Sequence, residues 1–374
     1  MYDLIIIGGG ASGLLTAALA SGENMNVLVL ERNNQPGKKI YATGNGHCNY
    51  LNTKAEGFRN IDRELESVGI VGVCDADGRY YPRNREASSV VSALVNAAKA
   101  KEAQVLCDCH VTDAVKKDGH FTVVTKDGRK FESILLVIAT GGKAGIQFGC
   151  YGEGYKWAQL FGHSLVKPVP ALVPVECEED ISSLHGVRVR GKVSLYCNEE
   201  KICEDAGEIQ FTKDSVSGIC VMNLSRYIRL GENREYVLSI DLFPELAEDE
   251  LLDLFLRQKH VLGCGMAGLV PEKMHAYLQE RVGENAHGSS AMTGLAKDLR
   301  FKLKGTKGWA DAQVTSGGVP LSEIDEKTME SKLVKGLYFT GEIVDYDGPC
   351  GGYNLANAWR TAILAAKDIK DLSR

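Results

Sequence analysis

Several features that define other classes of protein are missing from this sequence. Its eleven cysteines contain no Cys-x-x-Cys pair, which excludes the usual dithiol redox motif. No stretch resembles a transmembrane helix, and no cluster of basic residues offsets the formal net charge of −6. The sequence therefore disfavours both a membrane partner and a nucleic-acid partner and predicts a small-molecule substrate. It leaves the oligomeric state open.

The cysteines are numerous but show no pattern. Their number is odd, the chain has 374 residues and no secretion signal is recognised, so a reduced, cytoplasmic setting is expected. Cys107 and Cys109 are too close together for a common metal site and have no matching second pair, so no metal is predicted. Most of the cysteines are expected to be small buried hydrophobic residues.

The informative patterns begin at the first residue. The order of segments is an apolar strand, a glycine turn, a helix-like stretch, a second strand and an acid: Met1–Ile7, Gly8–Gly13, Leu14–Ser21, Val27–Leu30 and Glu31. The turn satisfies G-x-G-x-x-G, and the acid follows its glycines by about twenty residues, as a dinucleotide-binding βαβ unit requires.

Each residue of this fingerprint has a physical function. Gly8 permits the sharp turn, Gly10 lets a pyrophosphate approach bare backbone, and Gly13 lets helix and strand pack closely. The phosphates would lie at the helix N-terminus, and Glu31 would accept hydrogen bonds from the ribose hydroxyls, which disfavours the 2′-phosphate of NADP. The alternative is a signal peptide or membrane anchor over residues 4–20, but that segment lacks a positive flank and contains three consecutive glycines.

The remaining strand and helix signals predict an α/β fold with a parallel sheet. The apolar run 134–139 is too continuous for a half-exposed strand and indicates a central parallel strand. It ends in Thr140 and Gly141, at the edge where open α/β sheets bind ligands. Residues 336–342 predict another buried strand that ends in an acid, and Tyr353–Leu372 predicts a long final helix.

A change of pattern in the middle of the chain predicts an inserted module. Residues 186–244 read as short strands, whereas residues 245–303 predict helices, the last over roughly 288–302. We therefore divide the chain into a first part of the cofactor-binding domain (1–185), an inserted domain (186–315) and a return segment of the first domain (316–374).

A second G-x-G-x-x-G match, Gly263–Gly268, lacks the context of a nucleotide site. No buried strand precedes it, and Pro271 follows too soon for a long phosphate-binding helix to start there. We interpret the segment as a turn between two helices, which leaves one dinucleotide-binding unit in the chain.

The C-terminal region favours FAD over NAD as the cofactor. FAD must have its ribityl chain and isoalloxazine held, and non-covalent binding is expected. Gly341 and Glu342 stand at a predicted strand end, where the carboxylate can accept hydrogen bonds from ribityl hydroxyls. Gly351 and Gly352 precede the final helix, whose N-terminus would stabilise negative charge at the N1–C2=O edge of the reduced flavin.

Six motifs stand in a fixed order along the chain: Gly37–Asn49, Gly78–Pro82, Ala139–Gly142, Thr315–Val319, Thr328–Lys332 and Gly336–Asn354. They resemble the motifs of the BaiN/YhiN-type flavoprotein family, also called aminoacetone oxidase-like or NAD(P)/FAD-dependent oxidoreductases. The resemblance spans nearly the whole chain and implies a Rossmann-like FAD-binding domain interrupted by a β-barrel-like and helical insert.

The fingerprint and the resemblance together imply a set of cofactor contacts. These are Gly8, Gly10, Ala11, Ser12, Gly13, Glu31, Arg32, Lys39, Gly46, Cys48, Asn49, Val111, Thr140, Gly141, Gly341, Glu342, Gly351, Gly352, Tyr353 and Asn354. Two positions depart from the family. His47 replaces the usual Arg before Cys48, and Cys350 stands where Thr is common. Both changes weaken the inference that this chain shares a specific activity with the family.

Some of these residues have alternative interpretations. His47 is a candidate proton donor or acceptor, or a loop residue bonded to backbone. Cys350 precedes a helix N-terminus that would lower the pKa of its thiol, or it simply packs. Cys48 is either reactive or structural, and Lys39 either pairs with a cofactor phosphate or is a solvated charge.

The leading functional hypothesis is an FAD-dependent oxidoreductase that moves a hydride between flavin N5 and a small organic substrate. One version is an oxidase of a small amine, which the absence of a second Rossmann unit mildly favours. The other is a reductase of a carbon–carbon double bond with NAD(P)H as a transient electron donor. A flavin-binding module that acts on RNA or on a protein partner is the alternative from another class.

Overall fold

A computed structural model describes residues 1–22, 25–231, 233–263, 265–283 and 288–372 of the chain. The chain divides into two compact units, one formed by Met1–Val169 with Val314–Arg374 and the other by Pro170–Gln313. The first unit therefore contains both ends of the sequence, and the second is the module for which the sequence analysis expects residues 186–315.

Strands and helices are numbered in chain order. The strands are β1 (Tyr2–Ile7), β2 (Val27–Leu30), β3 (Leu51–Asn52), β4 (Gly72–Cys74), β5 (Arg79–Pro82), β6 (Gln104–Leu106), β7 (Val111–Lys117), β8 (His120–Thr125), β9 (Lys130–Ile138), β10 (Val166–Ala171), β11 (Val175–Cys177), β12 (Arg188–Cys197), β13 (Glu200–Phe211), β14 (Ser215–Ser217), β15 (Tyr236–Asp241), β16 (Leu299–Thr306), β17 (Val314–Gly318) and β18 (Leu337–Phe339). The helices are α1 (Ala11–Ala20), α2 (Lys38–Ala42), α3 (Phe58–Ser67), α4 (Ala87–Ala100), α5 (Glu153–Leu160), α6 (Ile219–Ser225), α7 (Glu248–Leu262), α8 (Glu272–Val282), α9 (Ser289–Lys297) and α10 (Tyr353–Leu372). Short 3₁₀ turns include Thr43–Gly46 and Gly341–Ile343.

The first unit is built on a mixed sheet with strand order β6–β2–β1–β9–β8–β7. Strand β1 pairs in parallel with β2 and β9, and the four consecutive residues 4–7 of β1 are buried because both faces of the sheet are covered. The carboxyl half of β9 pairs in parallel with β18, and its amino half pairs antiparallel with β8 on the same edge. The predicted central parallel strand and the Rossmann-like α/β class are confirmed.

The carboxyl ends of β1, β9 and β18 lie side by side. The register aligns Ile7 with Ile138, and Phe339 with Ile138 on the other side of β9. The three following segments, which begin at Gly8, Ala139 and Thr340, therefore leave the sheet at one edge. This edge brings together the N-terminal glycine turn and the C-terminal Gly341–Glu342 segment.

The second unit contains a closed barrel of strands β11–β14–β13–β12–β15–β16. The expected helix over 288–302 is wrong in its second half, because α9 ends at Lys297 and strand β16 follows. Residues 299, 301 and 303 are buried while residues 300, 302 and 304 are exposed, and this period of two is typical of a strand. Strand β16 pairs with β15 and β11 and so closes the barrel.

The described part of the Gly263–Gly268 segment agrees with a turn between helices. Gly263 caps the C-terminus of α7 with φ +72°, and α8 starts at Glu272. Cys264 lies outside the described residues. The second copy of the glycine pattern therefore opens no phosphate-binding helix.

Across the described ranges, none of the helices combines the length and the apolarity that crossing a bilayer requires. Within the same ranges, no group of three or more His, Cys, Asp or Glu side chains is arranged to hold a metal ion.

Candidate functional site

The N-terminal glycine turn is tightly packed at two positions and open at the third. A Cβ added at Gly8 would lie 2.4 Å from the carbonyl oxygen of Ala139, and one added at Gly13 would lie 2.0 Å from the carbonyl oxygen of Gly8. At Gly10, by contrast, an added Cβ would meet no protein atom within 4 Å. Gly8 and Gly13 are thus required by the fold itself, whereas Gly10 faces open space at the start of α1.

Glu31 ties this turn to the end of β2. Its side chain is buried; Oε2 accepts a hydrogen bond from the N–H of Gly9 (2.9 Å), and Oε1 accepts two from Asn33, from the backbone N–H (2.7 Å) and the amide (2.8 Å). A carboxylate offers about four acceptor sites, so one remains on Oε2. That site can accept a ribose hydroxyl without breaking the existing contacts.

The residues of this edge fit a dinucleotide. Helix α1 has no side-chain cap at Gly10, and the first N–H groups of a helix have no acceptor within the helix. These N–H groups and the positive end of the helix dipole suit a pyrophosphate. At the end of β18, the hydroxyl of Thr340 is fully buried and has no hydrogen-bond partner among the described residues.

An ion pair joins the Gly37–Asn49 motif to the Gly341–Glu342 segment near the C-terminus. The Lys39 Nζ lies 2.6 Å from Glu342 Oε2, and Glu342 Oε1 accepts a hydrogen bond from the N–H of Thr315 (2.8 Å). The Thr315 hydroxyl in turn accepts the N–H groups of Lys143 (2.8 Å) and Ala144 (3.0 Å), in the loop that follows β9. Lys39, Glu342 and Thr315 therefore form one network that, with the loop after β9, holds four distant segments at the sheet edge.

The ion pair also sets the protonation of Lys39. Burial would lower the pKa of this ammonium group, but the Glu342 carboxylate and the nearby Cys150 hold the pKa above its ordinary value. Lys39 is thus a permanent cation at neutral pH. The structure pairs the Lys39 charge with Glu342, whereas the sequence analysis expected it to pair with a cofactor phosphate or to be solvated.

The loop that follows α2 carries His47, Cys48 and Asn49. It begins with a 3₁₀ turn in which Gly44 and Asn45 have φ of 55° and 53°, a left-handed conformation that glycine and asparagine tolerate best. His47 is exposed, and its Nδ1 lies 2.8 Å from the Arg85 carbonyl oxygen. This contact fits the interpretation of His47 as a loop residue bonded to backbone. Gly46 is exposed at the same turn, with open space beside it.

The Cys48 thiol is fully buried, and burial raises its pKa to about 11. We expect Cys48 to resist alkylation at pH 8, because the thiolate is the reactive form. Cys74, which is exposed, provides the internal control. Peptide mass mapping after a short iodoacetamide pulse should find Cys74 modified and Cys48 unmodified until urea is added. Equal labelling of both thiols in the native protein would contradict a structural Cys48.

The loop before α10 is held by short contacts. An added Cβ at Gly352 would lie 2.6 Å from the Leu51 carbonyl oxygen, so this glycine is required by a neighbouring chain segment. The Asn354 side chain closes the loop, since its Oδ1 accepts the N–H of Gly348 (2.8 Å) and its Nδ2 donates to the Gly348 carbonyl (2.9 Å). Tyr353 and Cys350 are half-buried beside it.

Five predicted contacts lie close to α1 or to the end of β9. An added Cβ at Gly341 would lie 2.5 Å from the buried Ser12 hydroxyl. The hydroxyl of Thr140 faces Gly154 in α5 and has no hydrogen-bond partner among the described residues. Gly141 has open space beside it, and Ala11 starts α1 next to the glycine turn.

Two predicted contacts lie in other surroundings. Arg32 forms an ion pair with Glu153 (2.5 Å) and stacks over the Tyr151 ring at 4.6 Å. Val111 starts β7, an edge strand of the sheet, with its side chain buried. Neither side chain joins the network around Glu342.

The sequence analysis missed three polar residues that organise the site. Thr315 lies in a recognised motif but was not assigned a contact. Thr361 accepts the N–H of Gly341 (2.9 Å), and Asn52 donates to the carbonyl oxygen of Gly351 (2.8 Å). Thr361 lies in the interior of a helix and Asn52 in a two-residue strand, so local sequence gave no signal for either.

The model of the family described as HI0933-like protein Rossmann domain matches residues 2–68 and 56–368. Two kinds of curated relative align over nearly the whole length. A 3-dehydro-bile acid delta(4,6)-reductase of Clostridium scindens is 33% identical, with 98% of each chain covered. A ribosomal RNA dihydrouridine synthase of Escherichia coli K12 is 28% identical, again with 98% of each chain covered.

Among solved structures, a 3-ketosteroid-delta4-(5alpha)-dehydrogenase from Rhodococcus jostii RHA1 superposes with a TM-score of 0.53. The match covers 99% of this chain and 96% of that one at 14% identity, which supports a shared fold. The superposition therefore shows that the two chains share a fold.

Proposed function

The chain belongs to the HI0933-like Rossmann flavoprotein family, and from this premise we propose that it is an FAD-dependent reductase of a carbon–carbon double bond conjugated to a carbonyl group. The observation that carries the proposal is the 33% identity to the Clostridium scindens reductase over 98% of both chains. The coarser statement, an FAD-dependent oxidoreductase, follows from the family.

Several described residues are suited to hold this cofactor, which supports the proposal. The N-terminus of α1 would bind the pyrophosphate, and Glu31 would accept a ribose hydroxyl. The Lys39–Glu342 pair and Thr315 would orient the segments that flank the ribityl chain. The N-terminus of α10 would stabilise negative charge on the isoalloxazine. When bound, FAD supplies reversible hydride transfer at its N5 atom.

The electron source separates the two versions of the sequence hypothesis. The sequence analysis leaned mildly towards an oxidase of a small amine because it found one Rossmann unit. The names of both relatives instead describe saturation of a double bond, so we favour the version in which NAD(P)H binds transiently and reduces the flavin. One dinucleotide fold is compatible with this version when the nicotinamide leaves before the substrate enters.

A second candidate function is reduction of uracil in ribosomal RNA, which the 28% identity to the Escherichia coli synthase favours. Uracil also contains a double bond conjugated to a carbonyl, so the same flavin chemistry serves both substrates. The net charge of −6 and the lack of basic clusters favour the small molecule, since phosphate contacts supply much of the affinity for RNA.

Anaerobic rapid mixing tests the proposed function. We expect NADH or NADPH to bleach the flavin absorption band, and a 3-oxo-Δ4 bile acid to restore it while gaining two hydrogens by mass. The matched control is the same bile acid already saturated at C4, which should leave the flavin reduced.

Each other outcome has a defined meaning. Restoration of the band by uridine-containing ribosomal RNA, and not by the bile acid, would replace the first candidate with the second. Bleaching by a small amine without NAD(P)H, followed by reoxidation with oxygen alone, would support the amine oxidase. Protein that stays colourless after incubation with FAD would contradict all three.

A further inference from the structure

The loop before α10 is oriented by a buried side chain from the early part of the chain. Asn52 is 4% exposed, and its Nδ2 donates to the carbonyl oxygen of Gly351 at 2.8 Å. Its Oδ1 accepts the N–H of Lys54 at 3.0 Å, so the two ends of the amide cannot be exchanged. Asn52 thus holds the Gly351 carbonyl in one direction.

The orientation of this carbonyl fixes the next N–H group. A trans peptide is planar, and its C=O and N–H point in opposite directions. The N–H of Gly352 is therefore directed away from Asn52. The helix begins here, since the N–H of Ala356 donates to the Gly352 carbonyl (2.9 Å), and the first N–H groups of a helix lack acceptors within the helix.

Both residues that flank this peptide bond are glycines with left-handed backbone torsions. Gly351 and Gly352 have φ of +114° and +96°, where glycine has unusual freedom. Two further contacts keep residues 50–52 against α10. Leu51 packs against Gly352, and the Trp359 indole N–H donates to the Tyr50 carbonyl oxygen at 2.8 Å. Asn52 is the member of this segment that reaches the Gly351 carbonyl.

We propose that Asn52 is a positioning residue, which holds the Gly351–Gly352 peptide so that the N-terminal N–H groups of α10 stabilise the negative charge of the reduced flavin. This inference rests on the proposed FAD cofactor. Its consequence is a higher midpoint potential of the bound flavin than the same site would give if the Gly351–Gly352 peptide bond could rotate.

The test measures the flavin midpoint potential by reductive titration of the holoenzyme. Asn52→Leu has a similar size and removes the amide, and Asn52→Asp keeps the acceptor for Lys54 but repels the Gly351 carbonyl. We expect the affinity for reduced FAD, relative to oxidised FAD, to fall about tenfold in both variants, equal to about 30 mV for a two-electron couple. The matched control is Asn60→Asp, an exposed asparagine on α3, which should leave the potential unchanged.

The outcomes are separable. FAD-bound Asn52→Leu with the parent potential would overturn the proposal, as would loss of folding in both variants, which would make Asn52 purely structural. Loss of FAD from variants whose apoproteins melt at the same temperature as the parent apoprotein would support the proposal. Failure of the parent protein to bind FAD would refute the proposed function before any Asn52 variant is compared.

Discussion

Gly13→Ala is expected to destabilise the protein even without a cofactor. The added Cβ would lie 2.0 Å from the Gly8 carbonyl oxygen, which belongs to a backbone held between α1 and β9. Overpacking of this kind costs about 1–3 kcal/mol, and we expect the upper end because backbone atoms must move. For a unit of this size, that cost lowers Tm by roughly 6–12 °C. Calorimetry of the apoprotein measures it directly.

Gly10→Ala is the matched control, three residues away in the same turn. Its Cβ would meet no protein atom within 4 Å, and Gly10 has φ −84°, which alanine adopts readily. We expect the apoprotein to melt as the parent does, while FAD affinity falls about tenfold or more because the methyl group occupies the path of the pyrophosphate. Unchanged FAD affinity in Gly10→Ala would place the phosphates elsewhere.

Glu342→Gln should be the most damaging change in the ionic network. The glutamine can still accept the N–H of Thr315, but the Lys39 ammonium loses its counter-charge at 2.6 Å in a partly buried setting. Removing one partner of a buried pair costs about 3–5 kcal/mol, and the partial exposure of this pair reduces our expectation to about 1–3 kcal/mol. Urea unfolding at constant ionic strength gives the difference.

A double-mutant cycle with Lys39→Met separates the interaction free energy of the Lys39–Glu342 pair from the contacts that each side chain makes with its other neighbours. We expect the double variant to be more stable than Glu342→Gln alone, with a coupling of about 0.5–3 kcal/mol. Strictly additive effects would mean that the two charges do not stabilise each other.

The pH dependence of the parent protein provides an independent check on the pair. The pKa of Lys39 is raised above its ordinary value of 10.5, so the stabilisation is fully present below pH 10.5 and is lost as the pH rises further. This high-pH loss should be smaller in Lys39→Met, because the titrating group is gone.

Much of the fold was predictable because its signals are local. The strand, turn and helix around Gly8 depend on neighbours within a few residues, and the apolar run at 134–139 depends on burial on both faces. The predicted helix over 288–302 was wrong in its second half because the local signal there is weak. Its apolar residues are few, and the change from a helical period to a period of two at Leu299 is visible only over eight residues.

The candidate site was predictable in its glycines and carboxylates but not in their partners. The cofactor contacts of Ala11, Arg32, Val111 and Tyr353 stay predictions, as do all the other cofactor contacts expected from the sequence. The same holds for His47 and Cys350 as catalytic residues. Asn52 and Thr361 had no sequence signal, because a single polar residue in a short strand or in a helix is recognised only by what it contacts.

The sequence by itself determined the dinucleotide fingerprint, the family and the α/β class, since each depends on residue types at fixed spacing. The tertiary structure decided which groups meet at the sheet edge. Lys39 and Glu342 are 303 residues apart, and Asn52 and Gly351 are 299 apart, yet each pair is in hydrogen-bond contact. The first pair forms because parallel strands end at one edge and bring their loops together, and the second because β3, which lies outside that sheet, packs against the start of α10. No local pattern encodes which segments meet.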